Sequence, residues 1–222
     1  MARKKIFLIG AGGHAHAVID VIQADNRYKI MGLIDSYQEP GASFYGYRVV
    51  GREMDLPVLL QKHDTSLLFV AIGDNYRRQK MMLHLQDIQP SVEFVTPVHP
   101  TAWIGSDVVI EAGSIIMPGV HVIAGCRIGT GCLLNTGSSL DHDSIMQSWS
   151  SLGPGAFTGG RVHIGRRTWI GMGAKVLQGI NVGRDTVIGA GSVVVNDVPA
   201  ACVAHGVSCR VYHPRKPEDP YL

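Results

Sequence analysis

No stretch of this sequence stays apolar for long enough to cross a bilayer. The longest runs, such as SLLFVAIG at 66–73, fall far short of the ~18 residues a spanning helix needs. The opening MARKK passes straight into a strand-like IFLIG without a signal-peptide cleavage site, so the expected compartment is the cytoplasm. An excess of charge of one sign is missing too. Lys and Arg total 20 against 18 Asp and Glu, no like-charge run appears, and neither nucleic acid nor an anionic membrane is expected as a partner. Cysteine is scarce. Four residues without CxxC spacing argue against a disulfide framework and a zinc site, which leaves buried thiols and no metal as the expectation. What is present is 222 residues of 45% hydrophobic content, enough core for one large domain or two modest ones.

The second half carries a period of six. Counting in sixes from Ile104 to Val194 gives sixteen positions, and only Thr158 among them is not apolar. The positions four further on, from Val108 to Val198, are nearly all small or β-branched and include Cys126 and Cys132. An α-helix repeats its faces at about 3.6 residues and a flat strand at two, so neither accounts for a strict six. A parallel β-helix does. Three hexads form one triangular coil, with the aliphatic residue and the small residue two before it both pointing inward. The sixteen hexads make just over five coils, and stacking them buries a column in which each large aliphatic contributes about 1.5–3 kcal/mol. Outside both inward registers fall His121, His163, Trp103, Trp149 and Trp169, which are expected on prism faces or at a subunit contact. His142, in the DHD triplet at 141–143, stands two places after inward Leu140 and two before inward Ser144, so it points outward at a corner.

The first half reads differently. KKIFLIGAGGHAHAVIDVIQ at 4–23 is strand, glycine turn and helix, and Gly10, Gly12 and Ala15 match G-x-G-x-x-[GA] spacing. KIMGLID is a second strand closing on Asp35, and SLLFVAIGDN at 66–75 is a third that ends in Gly73, Asp74 and Asn75. This outlines a nucleotide-binding βαβ unit, in which N–H groups at a helix N-terminus hold phosphate and an acidic residue meets a ribose hydroxyl. About 95 residues precede the repeat, room for one mononucleotide half and little more. One nucleotide is therefore expected rather than two, and an NAD-dependent oxidoreductase has no second half-domain to hold nicotinamide. His14 has two readings, one toward the ligand and one as a helix N-terminal residue bonded to backbone. His16 has no assigned role.

Five motifs follow one another in order: GAGGH at 10–14, LID at 33–35, AIGDN at 71–75, LNTGSSLDHD at 134–143 and GAGSVVVNDVP at 189–199. On these the chain resembles the sialic-acid O-acetyltransferase-like family of hexapeptide-repeat sugar acetyltransferases. Within it the resemblance is to the N-acetyltransferases of nucleotide-linked 4-amino-4,6-dideoxy sugars, those of the perosamine and bacillosamine pathways. It implies an α/β half-Rossmann domain at 1–98, a left-handed parallel β-helix at 99–198 and a tail at 199–222 that caps the prism. It also implies a homotrimer with acetyl-CoA in the crevice between neighbouring prisms, and a nucleotide-diphosphate-linked amino sugar as acceptor. His142 becomes the general base, because an amine attacks a thioester directly and needs only an imidazole-like group to take its proton. Asp143 corresponds to the carboxylate that orients the ring, with Asp141 as the alternative.

The resemblance further places Gly160, Met172 and Ala190 along the acetyl-CoA groove, read through their backbone, and Ser151 where relatives carry a second histidine. Gly12, Gly13, His14, Asp35, Gly73, Asp74 and Asn75 correspond to the acceptor site. The usual Gly-x-Pro-Ala near the C-terminus is replaced by Gly206, Val207, Ser208 and Cys209, so the last segment is expected to cap differently. Two other functions would use the same residues. One is O-acetylation of a sugar such as sialic acid, with His142 activating a hydroxyl; the other is a non-catalytic nucleotide-sugar-binding scaffold.

Overall fold

The computed structural model describes residues 2–221. Its contacts gather into two compact units, one reaching to Pro97 and one starting at Val98. Among the described residues no helix is long and apolar enough to cross a membrane.

The first unit is α/β. It contains β1 (Lys4–Ile9), α1 (Gly13–Asp25), β2 (Tyr28–Ile34), β3 (Ser43–Phe44), β4 (Tyr47–Gly51), α2 (Leu56–His63), β5 (Leu67–Val70), α3 (Asn75–Ile88) and β6 (Glu93–Phe94). The sheet order is β3-β4-β2-β1-β5-β6, parallel throughout except for the β3–β4 hairpin. β1 runs through the middle, and its Ile6, Phe7, Leu8 and Ile9 are fully buried, the continuous apolar run that an interior parallel strand requires. α1 buries Ala15, Val18, Ile19 and Ile22, residues spaced three and four apart on one face. His16, on another face of that helix, stacks on Phe44 with ring centroids 4.6 Å apart. Parallel order brings the C-terminal ends of β1, β2 and β5 to one edge, where the glycine turn, Asp35 and residues 73–75 emerge.

The second unit is the parallel β-helix that the hexads call for, left-handed as the resemblance implies. Its strands are two residues long and pair in parallel with the strand 18 residues on, as in Val122 with Leu140, Ile128 with Met146 and Leu134 with Leu152. Three sheets result, of six, five and seven strands. From Ile116 to Val194 every sixth residue is buried, and so is every residue of the second register from Ser114 to Val198. Ile104 and Ile110 remain partly exposed because their strands begin their sheets and have no earlier strand to stack on.

The corners obey the same period. Every sixth residue from Asp107 to Gly191 has a positive φ; nine of these fifteen are glycine, and the six others are Asp107, Asp143, Trp149, Arg161, Arg167 and Asp185. Glycine takes this left-handed conformation freely, and aspartate tolerates it better than most side chains. Asp143 therefore occupies a place where the coil would by default put glycine. Past the last hexad, Cys202–His205 extends the seven-stranded sheet in parallel and Arg210–Pro214 turns back antiparallel along it. The segment then lies back on the prism, with Arg215 Nη1 donating to the Asp185 carbonyl at 2.9 Å and Tyr221 stacked on Trp169.

Candidate functional site

In the first unit a cavity of about 730 Å³ opens at the strand-end edge, within the size range of small-molecule sites. Gly12, Gly13, His14, Asp35, Gly73 and Asp74 all line it. Gly10 has φ +102, which turns the chain sharply out of β1, and α1 then starts at Gly13 with Gly12 as N-cap, no side chain capping it and no acidic residue in its first turn. Helix N-termini left in this state favour anions such as phosphate. His14 stands at this terminus. Burial, and then the nearby Arg78 guanidinium, hold its pKa down at about 4, so the ring is neutral at physiological pH. Its Nε2 is buried and has no hydrogen-bond partner among the described residues, which leaves it available to a ligand.

The remaining expected acceptor residues divide. Asp35 lines the cavity, yet Oδ2 accepts from the Ala11 N–H at 2.7 Å and Oδ1 from the Tyr37 and Gln38 N–H groups. Its carboxylate ties the β1 turn to the loop after β2. Asp74 is the N-cap of α3 and accepts from the Arg77 N–H at 2.8 Å. Asn75 is not in the lining. It is 1% exposed, and its Oδ1 accepts from Arg78 Nη2 at 2.6 Å, so it packs behind the ligand edge instead of presenting an amide to it.

Arg78 itself was not legible as part of this region. It is fully buried and also donates to the Ile72 and Gly73 carbonyls at 3.0 and 2.9 Å, satisfying a charge that would otherwise be costly to bury. Tyr37, Glu53, Arg77, Lys80, Met81 and His84 join the lining as well. Those from α3 follow helical spacing, with Arg77, Lys80, Met81 and His84 on one face, a signal the sequence does carry once α3 is recognised.

In the second unit His142 sits on the corner between the strands Ser139–Leu140 and Ile145–Met146. Its Nδ1 lies 2.8 Å from Asp143 Oδ2. Asp141 does something else: its Oδ1 accepts from the His142 backbone N–H at 2.7 Å. The ring thus contacts Asp143, while Asp141 fixes the main chain beneath it. The adjacent coils make room for both. A Cβ on Gly125 would lie 2.6 Å from Asp143 Oδ1, and one on Gly160 would collide with His142 Nε2 and lie 2.5 Å from Cε1 and 2.7 Å from Cδ2, all inside van der Waals contact. Gly160 and His142 occupy the same corner position on successive coils.

The break in the repeat belongs to this corner. Thr158 is buried in the aliphatic register, and its Oγ1 accepts the Asp141 N–H at 3.1 Å. One coil earlier and one later the equivalent bonds run to a main-chain carbonyl, Ile123 N–H to Leu140 and Gly159 N–H to Val176. Here the side chain has taken over that position, and the two strands pair through Ser139 and Phe157 alone.

The residues expected along the acetyl-CoA groove do not form one strip within the chain. Met172, 60% exposed, and Ala190, also exposed, sit one coil apart on a different corner from His142 and Gly160. Residues 160 and 172 differ by twelve, two-thirds of a coil, which places them at opposite ends of one prism face. Ser151, nine residues beyond His142, is half a coil away on the seven-stranded sheet and is fully buried, so it offers a ligand no surface within the chain.

Two family models match the chain, one within each unit. The family described as PglD N-terminal domain matches residues 5–85, and that described as bacterial transferase hexapeptide (six repeats) matches 161–196. One chain carrying both has the build of a hexapeptide-repeat transferase. Perosamine N-acetyltransferase from Caulobacter crescentus, solved with CoA and GDP-perosamine, is 36% identical, with a TM-score of 0.88 over 95% of this chain and 98% of that one. That structure is of a variant in which one histidine is replaced by asparagine. The acetyltransferase domain of PglB from Neisseria gonorrhoeae, solved with acetyl coenzyme A, is 27% identical, with a TM-score of 0.84 over 95% of this chain and 100% of that one. Among curated proteins, the UDP-N-acetylbacillosamine N-acetyltransferase of Bacillus subtilis is 28% identical over 51% of each chain. The matched stretches span 21% to 52% of the curated relatives' own lengths. This chain belongs to the sugar N-acetyltransferase family represented by perosamine N-acetyltransferase.

Proposed function

We propose that this protein transfers the acetyl group of acetyl-CoA to the amino group of a nucleotide-diphosphate-linked 4-amino-4,6-dideoxyhexose. The observation that carries the reading is the His142–Asp143 contact at 2.8 Å on an exposed corner, beside a glycine that keeps the far side of the ring clear. A carboxylate only accepts, so the Nδ1 it faces bears the proton and Nε2 presents a lone pair. As the amine adds to the thioester carbonyl, Nε2 takes the proton that nitrogen sheds and Asp143 stabilises the resulting imidazolium. The same ring returns the proton to the departing sulfur, so the chain supplies no covalent nucleophile.

Acetyl-CoA, when bound, supplies the activated acyl group. The corner of Met172 and Ala190 suits it, because Gly155, Gly173 and Gly191 stand beside these residues with nothing within 4 Å of the place where a side-chain methyl would stand, a low edge along which an extended arm can lie. The glycine turn and His14 in the first unit suit the diphosphate of the acceptor. Relatives solved with CoA and GDP-perosamine, or with acetyl coenzyme A, support a chain of this fold taking both kinds of ligand. Exposed Trp103 and Phe157 on one face, and Val109 and Ile145 on another, are apolar surface that association into a homotrimer would cover. Such a trimer would set the Met172 corner of one copy against the His142 corner of the next. Its place would be the cytoplasm, where both substrates are made, and its product would serve surface-glycan assembly.

The test is incubation with acetyl-CoA and a panel of GDP-, UDP- and dTDP-linked 4-amino-4,6-dideoxyhexoses, following free thiol. Release with at least one member is expected. Silence across the panel, or turnover of hydroxy sugars alone, overturns the reading.

A smaller effect is expected at the repeat's break. Thr158→Val restores the apolar series at nearly constant volume but removes the acceptor for the Asp141 N–H. A lost hydrogen bond of this kind is worth about 0.5–1.5 kcal/mol, so the corner loosens while the coil stays folded. The expected result is a kcat lowered by roughly tenfold, with melting temperature within a few degrees of the parent and KM for the sugar nucleotide unchanged. Steady-state kinetics beside a thermal melt check it, and an unchanged kcat would leave Thr158 a purely structural exception.

A further inference from the structure

The prism has three corners, and the residues in the left-handed position tell them apart. On the corner of Met172 and Ala190 all five are glycine: Gly119, Gly137, Gly155, Gly173 and Gly191. The corner of His142 mixes Asp107, Asp143 and Arg161 with glycine. The third corner, between the five- and seven-stranded sheets, departs from glycine on three coils running, at Trp149, Arg167 and Asp185. Side chains resist this conformation, and backbone outliers of this kind gather at functional sites. Neither the acyl transfer nor the acceptor cavity draws on this corner.

The three residues build a seat for positive charge. Arg167 gives Asp185 two bonds, Nε to Oδ1 at 2.6 Å and Nη2 to Oδ2 at 2.8 Å, so that carboxylate is occupied. Arg215 of the tail adds another guanidinium and donates to the Asp185 carbonyl at 2.9 Å. Trp149 carries the Arg166 guanidinium over its ring, 4.6 Å from the centroid, and Gln147 Oε1 accepts the Arg166 N–H at 3.0 Å. Arg184 follows one coil on, about 4.8 Å along the prism axis. Arg166 and Arg184 are both exposed, and among the described residues neither pairs with a carboxylate. Burial, and then the Arg167 charge, lower the Arg166 pKa; Arg184 adds to them and only Asp185 opposes. Two concavities open beside the pair. One of about 400 Å³ has Arg127, Trp149 and Arg166 in its lining, the other of about 610 Å³ has His163, Asn181 and Arg184, and Gln147 lines both. Their carboxylates are Glu111, which accepts the Thr130 hydroxyl at 2.6 Å, and Asp197, which accepts from the Asn181 N–H and amide at 2.7 and 3.1 Å.

We infer that this third corner binds a phosphate-bearing ligand, with one phosphate group bridging Arg166 and Arg184. A guanidinium donates to two phosphate oxygens in parallel, and two guanidiniums a coil apart hold one group between them. Arg166 is already fixed over Trp149, so little of its freedom is lost on binding. The bound anion supplies the counter-charge that the corner lacks. The proposed trimer pairs the other two corners, which leaves this one facing outward and apart from the reaction. A soluble phosphate ester and a phospholipid headgroup present the same chemistry to it.

Calorimetric titration of the intact protein with inorganic pyrophosphate tests this, with Arg184→Glu as the comparison. The Arg184 side chain is exposed and makes no ion pair among the described residues, so the variant keeps the fold, and its new carboxylate gives Arg166 the partner it lacks. The parent should bind one equivalent per chain more than Arg184→Glu, while pyrophosphate held at the glycine turn of the first unit is common to both and cancels. Arg184→Lys, which keeps the charge without the fork, should weaken that equivalent by about tenfold. The kcat and KM of acetyl transfer should be the same in all three. Flotation with phosphatidylglycerol vesicles separates the sources: retention of the parent but not of Arg184→Glu assigns a lipid headgroup, and pyrophosphate uptake without retention assigns a soluble ester. Equal uptake of pyrophosphate by the parent and Arg184→Glu overturns the inference. So does a kcat that falls in step with lost uptake, since the anion would then belong to the reaction.

Discussion

Replacing His142 by alanine or asparagine should lower kcat by about a hundredfold to ten-thousandfold, the range typical for loss of a general base. Affinity for the sugar nucleotide and for CoA should hardly change. The separation follows from where the residue stands. Its side chain is 42% exposed, it contributes nothing to either inward register, and its only side-chain partner among the described residues is the Asp143 carboxylate. The coil therefore loses no inward packing when the ring is removed, only its contact with Gly160. Nor does the first-unit cavity, whose lining lies wholly within that unit. What is lost is the lone pair on Nε2, without which the attacking nitrogen must keep its proton while the carbon–sulfur bond breaks. Single-turnover thiol release beside calorimetry separates chemistry from binding. Near-parental turnover in either variant removes His142 from the mechanism, and a parallel loss of nucleotide affinity would mark its role as structural.

The β-helix was open to reading from sequence because its packing rule is local: one inward aliphatic every six residues, fixed by the coil and repeated without insertion from Ile104 to Val194. The glycine turn and the ends of β1, β2 and β5 were open for a similar reason, each being announced by residues adjacent in the chain. What stayed hidden depends on residues brought together by the coil or the sheet. Thr158 is an exception in the hexads until its hydroxyl is seen under Asp141, seventeen residues earlier. Arg78 looks like one charge on a polar helix, and only folding turns it into the buried clasp on the Ile72 and Gly73 carbonyls. Asn75, placed by its motif at the ligand edge, faces Arg78 because the first turn of α3 carries it inward. Glu53 lies in a turn with no motif, and joins the cavity lining only when β4 is laid beside β2. Asp143 was found by resemblance alone, although a purely physical signal existed: the corner period runs mainly through glycine, and an aspartate there is one of six departures.

Gly160→Ala is expected to come close to the His142 variants, with turnover down by about a hundredfold, since a misplacement of some 1 Å in a catalytic group can cost that much. The cause is steric rather than conformational. Gly160 does not have a positive φ, so alanine strains no backbone there, but its methyl carbon would lie 2.5 Å from His142 Cε1. The ring is the exposed partner and swings away, breaking its contact with Asp143, at little cost to the fold. Gly137→Ala provides the opposite case. It sits at a corner with φ +65 and nothing within 4 Å of its new methyl, so it should cost about 1 kcal/mol or more of stability through left-handed strain and leave turnover intact. Melting temperature and kcat measured on the two variants should therefore move independently, stability falling in one and catalysis in the other. If Gly160→Ala keeps its kcat, the ring is free to work from another rotamer, and its seat over the glycine is not the geometry in which it takes the proton.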